Sequence, residues 1–329
     1  MRRLSTLLLW AVFLSLVYAQ KRDNVWVTGY DYEPTTPTAE GVNFTFNDSL
    51  IISYPSRNMY FLGTNASICN SVGNLLIYSN GCYVETADGH EVEGSEGMNP
   101  GLLYNLSCAD NQGYRLSQSM MLLPDPALPD LFHFFHMPLV APSCVKDILH
   151  TVVDMSANNG NGTTVFKNQI VASDTIHRHG LHAVRHANGR DWWVVAAKQY
   201  SNRYYLILLT PQGVETKYQE IGTVDTGLVY GGEMVFSPDG TKLARFDAQD
   251  DLRLFDFDRC TGTLYNPLHI SIQDDADIAI LAGLGWSADG RFIYAAEDRR
   301  LLQLDTWATD IGGRSEERRV GKEGRSRWS

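Results

Sequence analysis

Helical patterning is nearly absent from this 329-residue sequence. Apolar residues seldom recur at a spacing of three or four beside capping residues, which excludes a helix bundle and a layered α/β fold. After residue 19 no apolar run approaches the ~20 residues of a helical membrane span. Positive charge is scarce: 27 Lys and Arg stand against 38 Asp and Glu, and eight of the 27 are Arg2, Arg3 or lie beyond residue 312. The strongly acidic middle argues against nucleic acid or an anionic membrane surface as partner. None of the five cysteines forms the Cys-x-x-Cys pair of a zinc or redox site. There is no Gly-x-Ser-x-Gly elbow to present a nucleophile. Ser237-Pro-Asp-Gly240 is one residue short of a sialidase Ser-x-Asp-x-Gly box. No catalytic residue and no cofactor is expected on these grounds.

What is present is a repeat. His186-Ala-Asn-Gly189, Phe236-Ser-Pro-Asp-Gly240 and Trp286-Ser-Ala-Asp-Gly290 each lead into an apolar run, and a second run follows about ten residues on. The glycines at 189, 240 and 290 recur every ~50 residues, the period of β-propeller blades. Asp239-Gly240 and Asp289-Gly290 are structural turn residues: the carboxylate bonds the local backbone and glycine tolerates positive φ. In Leu252-Arg-Leu-Phe-Asp-Phe-Asp258, Leu252 and Leu254 share one face while Phe255 and Phe257 share the other. Both faces are apolar, as stacked blades require. The expected fold is all-β, an incomplete propeller with about four to five blades. Blade one spans 42–81 and blade two 117–171. Blades three and four occupy about 180–225 and 228–275, with a partial fifth from Ala282.

The ends read differently. Arg2, Arg3, the apolar stretch Leu4 to Val17 and the small residues before Gln20 make 1–19 a signal peptide, so the protein is expected to be exported. Residues 20–41 are polar and turn-rich, an exposed lead-in, and the propeller runs over 42–311. Residues 312–329 have only Val320 and Trp328 as large apolar residues and resemble vector- or adapter-derived sequence. They are expected to be non-native or disordered, with the propeller cut short before them.

Export makes disulfides plausible for Cys69, Cys82, Cys108, Cys144 and Cys260. Cys69 and Cys82 flank one apparent hairpin and are the expected pair. His177, His179, His182 and His186 fall within ten residues and are weak metal candidates; no Cys or Asp completes a known ligand spacing. Asp274-Asp-Ala-Asp277 offers carboxylates but lacks the spaced calcium loop.

Two resemblances follow from these segments. Ser-Pro-Asp-Gly followed by an apolar strand resembles the WD40-like repeat of periplasmic translocation propellers and of serine oligopeptidase propellers. Leu181 to Val194, Leu254 to Gly262 and Ala66 to Gly81 together resemble secreted propeller proteins of gliding and environmental bacteria. In that family such a domain precedes a sorting domain of the type IX secretion pathway, and no catalytic residues are established. The resemblance implies a secreted or cell-surface, non-catalytic binding module for an extracellular ligand, glycan or protein. The alternative is a propeller hydrolase or lyase acting on glycans or peptides, or the propeller domain of a larger enzyme.

Overall fold

The computed structural model describes residues 21–29, 41–109, 113–141, 144–225, 231–247, 251–272, 282–297, 300–309, 311 and 316–319. The expected signal peptide, positions 30–40 of the lead-in, most of the tail and the acidic run 274–277 lie outside the described residues.

Six antiparallel sheets follow one another along the chain. Sheet one holds β1 (Val25–Thr28), β2 (Val42–Phe46) and β3 (Leu50–Ser53); sheet two holds β4 (Ala66–Cys69), β5 (Leu75–Ser79) and β6 (Val84–Thr86). The helix α1 (Leu102–Ser107) precedes sheet three, built from β7 (Met120–Pro124), β8 (Leu131–His136), β9 (Leu139–Ala141), β10 (Cys144–Asp154) and β11 (Thr163–Ile176). Sheet four comprises β12 (His182–Arg185), β13 (Trp192–Ala197), β14 (Arg203–Thr210) and β15 (Gly213–Glu220). Sheet five comprises β16 (Gly232–Phe236), β17 (Lys242–Asp247), β18 (Asp251–Asp258) and β19 (Thr263–Ile270). Sheet six comprises β20 (Ala282–Trp286), β21 (Phe292–Glu297), β22 (Arg300–Asp305) and β23 (Glu316–Arg319). The leading strands of successive sheets lie side by side, β4 against β7 and β16 against both β12 and β20. This is a nearly all-β, β-propeller arrangement, with six sheets among the described residues where four to five blades were expected, because residues 42–81 contribute to two sheets and not one.

Period-two alternation inside the strands builds a core between each pair of sheets. On β13, Val194 and Ala196 pack toward sheet three, whereas Trp193, Val195 and Ala197 pack toward sheet five. On β18, Leu252 and Leu254 face sheet six while Phe255 and Phe257 face sheet four. Each fully buried side chain of this size contributes roughly 1.5–3 kcal/mol relative to exposure, so the faces hold the sheets in order.

The repeated turns share one geometry. Asp239 Oδ1 accepts from the Ser237 hydroxyl at 2.6 Å and the Thr241 amide at 3.0 Å, and Gly240 lies at φ +73°. Asp289 accepts from Ser287 and from the Arg291 amide, with Gly290 at φ +72°. At Gly240 a Cβ would also fall 2.5 Å from Val184 Cγ2, so the turn is seated directly on β12.

Four expectations are corrected. The stretch read as blade one is divided between sheets one and two, because Asn58 to Gly63 is irregular rather than a strand; Met59 and Phe61 still bury their side chains against Tyr78. Part of the lead-in is structural: β1 pairs with β2, and Val25 and Val27 are buried. Glu316–Arg319, inside the stretch read as a disordered tail, is the fourth strand of sheet six and pairs with Arg300–Gln303. The disulfide joins Cys82 to Cys108, with Cα atoms 5.5 Å apart, and not to Cys69. In the β4–β5 hairpin Cys69 opposes Leu75, next to the turn, whereas Cys82 follows Ser79 at the other end. Four strand residues separate those ends by roughly 13 Å, beyond the ~7 Å limit for a bridge. Cys69 is instead a buried free thiol whose sulfur accepts the Val25 amide at 3.2 Å.

Candidate functional site

Of the four clustered histidines of the sequence, His177 and His179 stay adjacent, with ring centroids 6.2 Å apart, while His182 and His186 take other partners. His177 is buried; its Nε2 donates to Asp247 Oδ2 at 2.9 Å, in a charged cluster where Arg245 pairs with Asp225. Burial, then the nearby Arg245, pushes the His177 pKa down, while Nδ1 lies 2.8 Å from the His179 carbonyl, so the ring is a hydrogen-bonded brace between sheets four and five. The His179 amide points at His177 Nδ1, 3.3 Å away. His182 lies against Phe236, ring centroids 5.9 Å apart, and burial lowers its pKa to about 4. His186 donates Nε2–H to the Cys260 carbonyl at 2.9 Å. Among the described residues no group of three His, Cys, Asp or Glu side chains converges as a metal site would.

Polar groups also meet along the leading strands. Gln118 donates to Glu233 Oε1 at 2.7 Å and accepts from the Met234 amide at 3.0 Å; Glu233 Oε2 accepts from the Leu284 amide at 2.6 Å. These bonds tie sheets three, five and six together. Burial raises the Glu233 pKa.

A second set of histidines, which the sequence reading passed over, stands in sheet three. In β8 the alternation sends His133 and Phe135 to the face toward sheet four and Phe132, Phe134 and His136 to the face toward sheet two. Asp125 sits in the turn before β8, where its Oδ1 accepts the Ala127 and Leu128 amides, each at 2.7 Å. Its Oδ2 lies 2.8 Å from His133 Nε2, and His133 Nδ1 lies 2.8 Å from Nε2 of His150 on β10. Burial, opposed by Asp125, lowers the His133 pKa; burial and His133 lower that of His150 to about 3. Both rings are therefore neutral at pH 7. An ionised carboxylate only accepts, so His133 carries its proton on Nε2 and accepts at Nδ1 from His150. Phe135 stacks on His150, centroids 4.7 Å apart and planes 4° apart, and Phe166 meets it edge-on at 5.0 Å.

This Asp125–His133–His150 chain lies along a groove of about 660 Å³ between sheet three and the β14–β15 turn. Phe166, Gln169, Thr210, Gln212 and Thr216 also line it. The groove thus combines an aromatic ring, amides and hydroxyls with an ordered chain of imidazoles. Apolar walls with a few placed polar groups are the composition of small-molecule sites. On its other face sheet three holds a matching buried chain: His136 donates from Nδ1 to Asn99 Oδ1 at 2.8 Å and accepts from Thr151 Oγ1 at 2.9 Å. Thr151 in turn accepts the Asn168 amide at 3.0 Å. A second cavity, of about 460 Å³, is mostly apolar, with Trp26, Phe44 and Met120 to Leu122 in its wall.

No protein-family model matches the chain, and no curated protein matches it. Solved structures do resemble it. The periplasmic gluconolactonase PpgL of Pseudomonas aeruginosa is 16% identical, with 90% of this chain and 82% of that one covered and a TM-score of 0.46. A protein from Lactobacillus plantarum is 14% identical, covering 91% and 81%, with a TM-score of 0.45. A candidate 6-phosphogluconolactonase of Bacteroides uniformis is 12% identical, covering 89% and 94%, with a TM-score of 0.44. At such identities the likeness concerns architecture, and no functional residue is carried over from them.

Proposed function

We propose that this chain is an exported propeller that binds an uncharged glycan segment in the groove between sheets three and four. The observation that carries the reading is the groove wall itself: Phe166 beside Gln169, Gln212, Thr210 and Thr216, over a preordered Asp125–His133–His150 chain. Sugars present alternating hydroxyls and C–H faces, which need such paired polar and aromatic partners. The formal charge of −11 disfavours an anionic ligand. Export is supported by the Cys82–Cys108 disulfide, a bond of oxidising compartments, and by the apolar leader.

Binding is favoured over hydrolysis by the way the ionisable groups are used. Both ring nitrogens of His133 and both oxygens of Asp125 are already hydrogen-bonded within the chain. A general base needs an atom free to reach the substrate proton, which in this chain leaves Nδ1 of His150, a weak base because burial and His133 lower that ring's pKa to about 3. The test is a glycan microarray followed by calorimetry on hits, with Phe166→Ala and Gln169→Ala. Each substitution is expected to weaken binding about tenfold, the value of one good contact of ~1.4 kcal/mol. Absence of any glycan hit, or hits unaffected by both substitutions, refutes the groove as the site.

A further inference from the structure

The pair Asn-Gly occurs four times, at Asn80-Gly81, Asn159-Gly160, Asn161-Gly162 and Asn188-Gly189. An asparagine is chemically weakest in this pair, because glycine puts no side chain between its own nitrogen and the preceding carboxamide. The fold treats the four differently. Asn80 is fully buried; its Nδ2 donates to the Tyr60 carbonyl and its Oδ1 accepts the Cys82 amide, each at 3.0 Å. Asn188 is exposed but tied: Oδ1 accepts the Arg190 and Asp191 amides at 2.9 and 3.0 Å, and Nδ2 donates to Asp191 at 2.7 Å. Asn161 precedes a buried glycine, where a Cβ would lie 2.6 Å from Met155 Sδ, so the Gly162 nitrogen has no room to swing.

Asn159 has none of these restraints. It lies in the turn Asn158–Gly160 at the tip of the β10–β11 hairpin, and all three turn residues are exposed. Among the described residues no hydrogen bond holds its carboxamide. A Cβ at Gly160 would meet nothing within 4 Å. The Gly160 amide donates to the Ala157 carbonyl at 3.0 Å, but that carbonyl also accepts the Gly162 amide at 3.2 Å, so releasing Gly160 leaves it served.

We infer that Asn159 is a site of spontaneous deamidation in the folded protein. The Gly160 nitrogen loses its proton to hydroxide and attacks Cγ of Asn159. The new C–N bond closes a succinimide ring, and the Cγ–Nδ2 bond breaks as ammonia leaves with a proton taken from water, which restores the hydroxide. Water then opens the ring at either carbonyl, giving aspartate, or isoaspartate with the main chain routed through the side-chain carbon. Nothing is oxidised or reduced. The hairpin gains a negative charge at its tip, and its strands β10 and β11 also wall the groove.

Peptide mapping by mass spectrometry tests this on the wild type, with digestion at mildly acidic pH and fragment ions that tell residue 159 from 161. Native protein is held at pH 6 and pH 8 beside the same chain unfolded in guanidinium chloride. In the native protein Asn159 is expected to convert at least ~tenfold faster than Asn80, Asn161 or Asn188, faster at pH 8 than at pH 6, and with isoaspartate among the products. In the unfolded chain the four pairs are expected to convert at comparable rates, which assigns the difference to the fold. A native Asn159 that stays intact while its unfolded counterpart converts overturns the inference, as does native conversion of Asn80 or Asn188 at the rate of Asn159. Equal rates at the two pH values, or a product without isoaspartate, overturns the succinimide route.

Discussion

Replacing His136 with Gln is expected to make the protein markedly less sensitive to acid. The ring is fully enclosed, between Asn99 and Thr151, and its pKa falls from 6.5 to about 3 through burial and then the neighbouring His150. The unfolded chain takes up this proton near 6.5 and the folded chain only near 3. Between those values the unfolded state holds more protons, so stability is complete above ~6.5 and lost as pH falls. At pH 5 the loss from this one residue is about 2 kcal/mol relative to pH 8. His133, His150, His177 and His182 are shifted in the same direction. Glu233, raised by burial, acts oppositely. Against a typical total of ~5–15 kcal/mol, several such histidines bring acid unfolding well above the carboxylate range. Urea unfolding at pH 8 and pH 5 measures it. The variant is expected to start less stable at pH 8 but to lose about 2 kcal/mol less than wild type on acidification. Equal losses in the two proteins, or an NMR titration of His136 near its ordinary value in the folded state, would refute the reasoning.

Further outcomes follow from other parts of the fold. Cys108→Ser opens a loop with a sequence separation of 26 and is expected to cost about 3–4 kcal/mol in urea unfolding; peptide mapping that links Cys82 to Cys69 contradicts the pairing. Gly240→Val combines positive φ with a clash on Val184, so about 3 kcal/mol is expected. Gly189→Ala, also at positive φ but with open space around it, is expected to cost only about 1 kcal/mol; equal effects would deny the close seat on β12. Removing residues from 312 onward is expected to speed amide exchange in β22, whose partner strand is lost; unchanged exchange would place Glu316–Arg319 outside sheet six.

The later half of the molecule was legible because its turns repeat. Asn-Gly or Asp-Gly marks the first hairpin of sheets four, five and six, and the two-faced strands such as Leu252 to Asp258 state which sheets they lie between. The earlier half lacks that punctuation. Met59 and Phe61 are buried from an irregular segment, so an apolar run there mimics a strand. The disulfide depends on how the chain through α1 returns to sheet two, which local sequence does not encode. His177, His179, His182 and His186 drew notice by proximity along the chain, yet three of them serve separate hydrogen bonds or packing contacts. The more informative signal was subtler: His133 and His136 interrupt the apolar strand Leu131-Phe-His-Phe-Phe-His136. Polar residues inside a two-sided buried strand need partners, and these lie at Asp125, His150, Asn99 and Thr151, too far along the chain for spacing to show. The charge of Glu316–Arg319 concealed a strand because an edge position tolerates what a core position does not.

The central claim is that the groove beside Asp125, His133 and His150 is where the ligand sits. Hydrogen exchange with and without the glycan of highest affinity tests it most directly. The account predicts slower exchange confined to β10, β11 and the turn between β14 and β15. Protection instead around Gln118, Glu233 and Leu284, with the groove unchanged, would contradict it and move the site to the leading strands of the propeller.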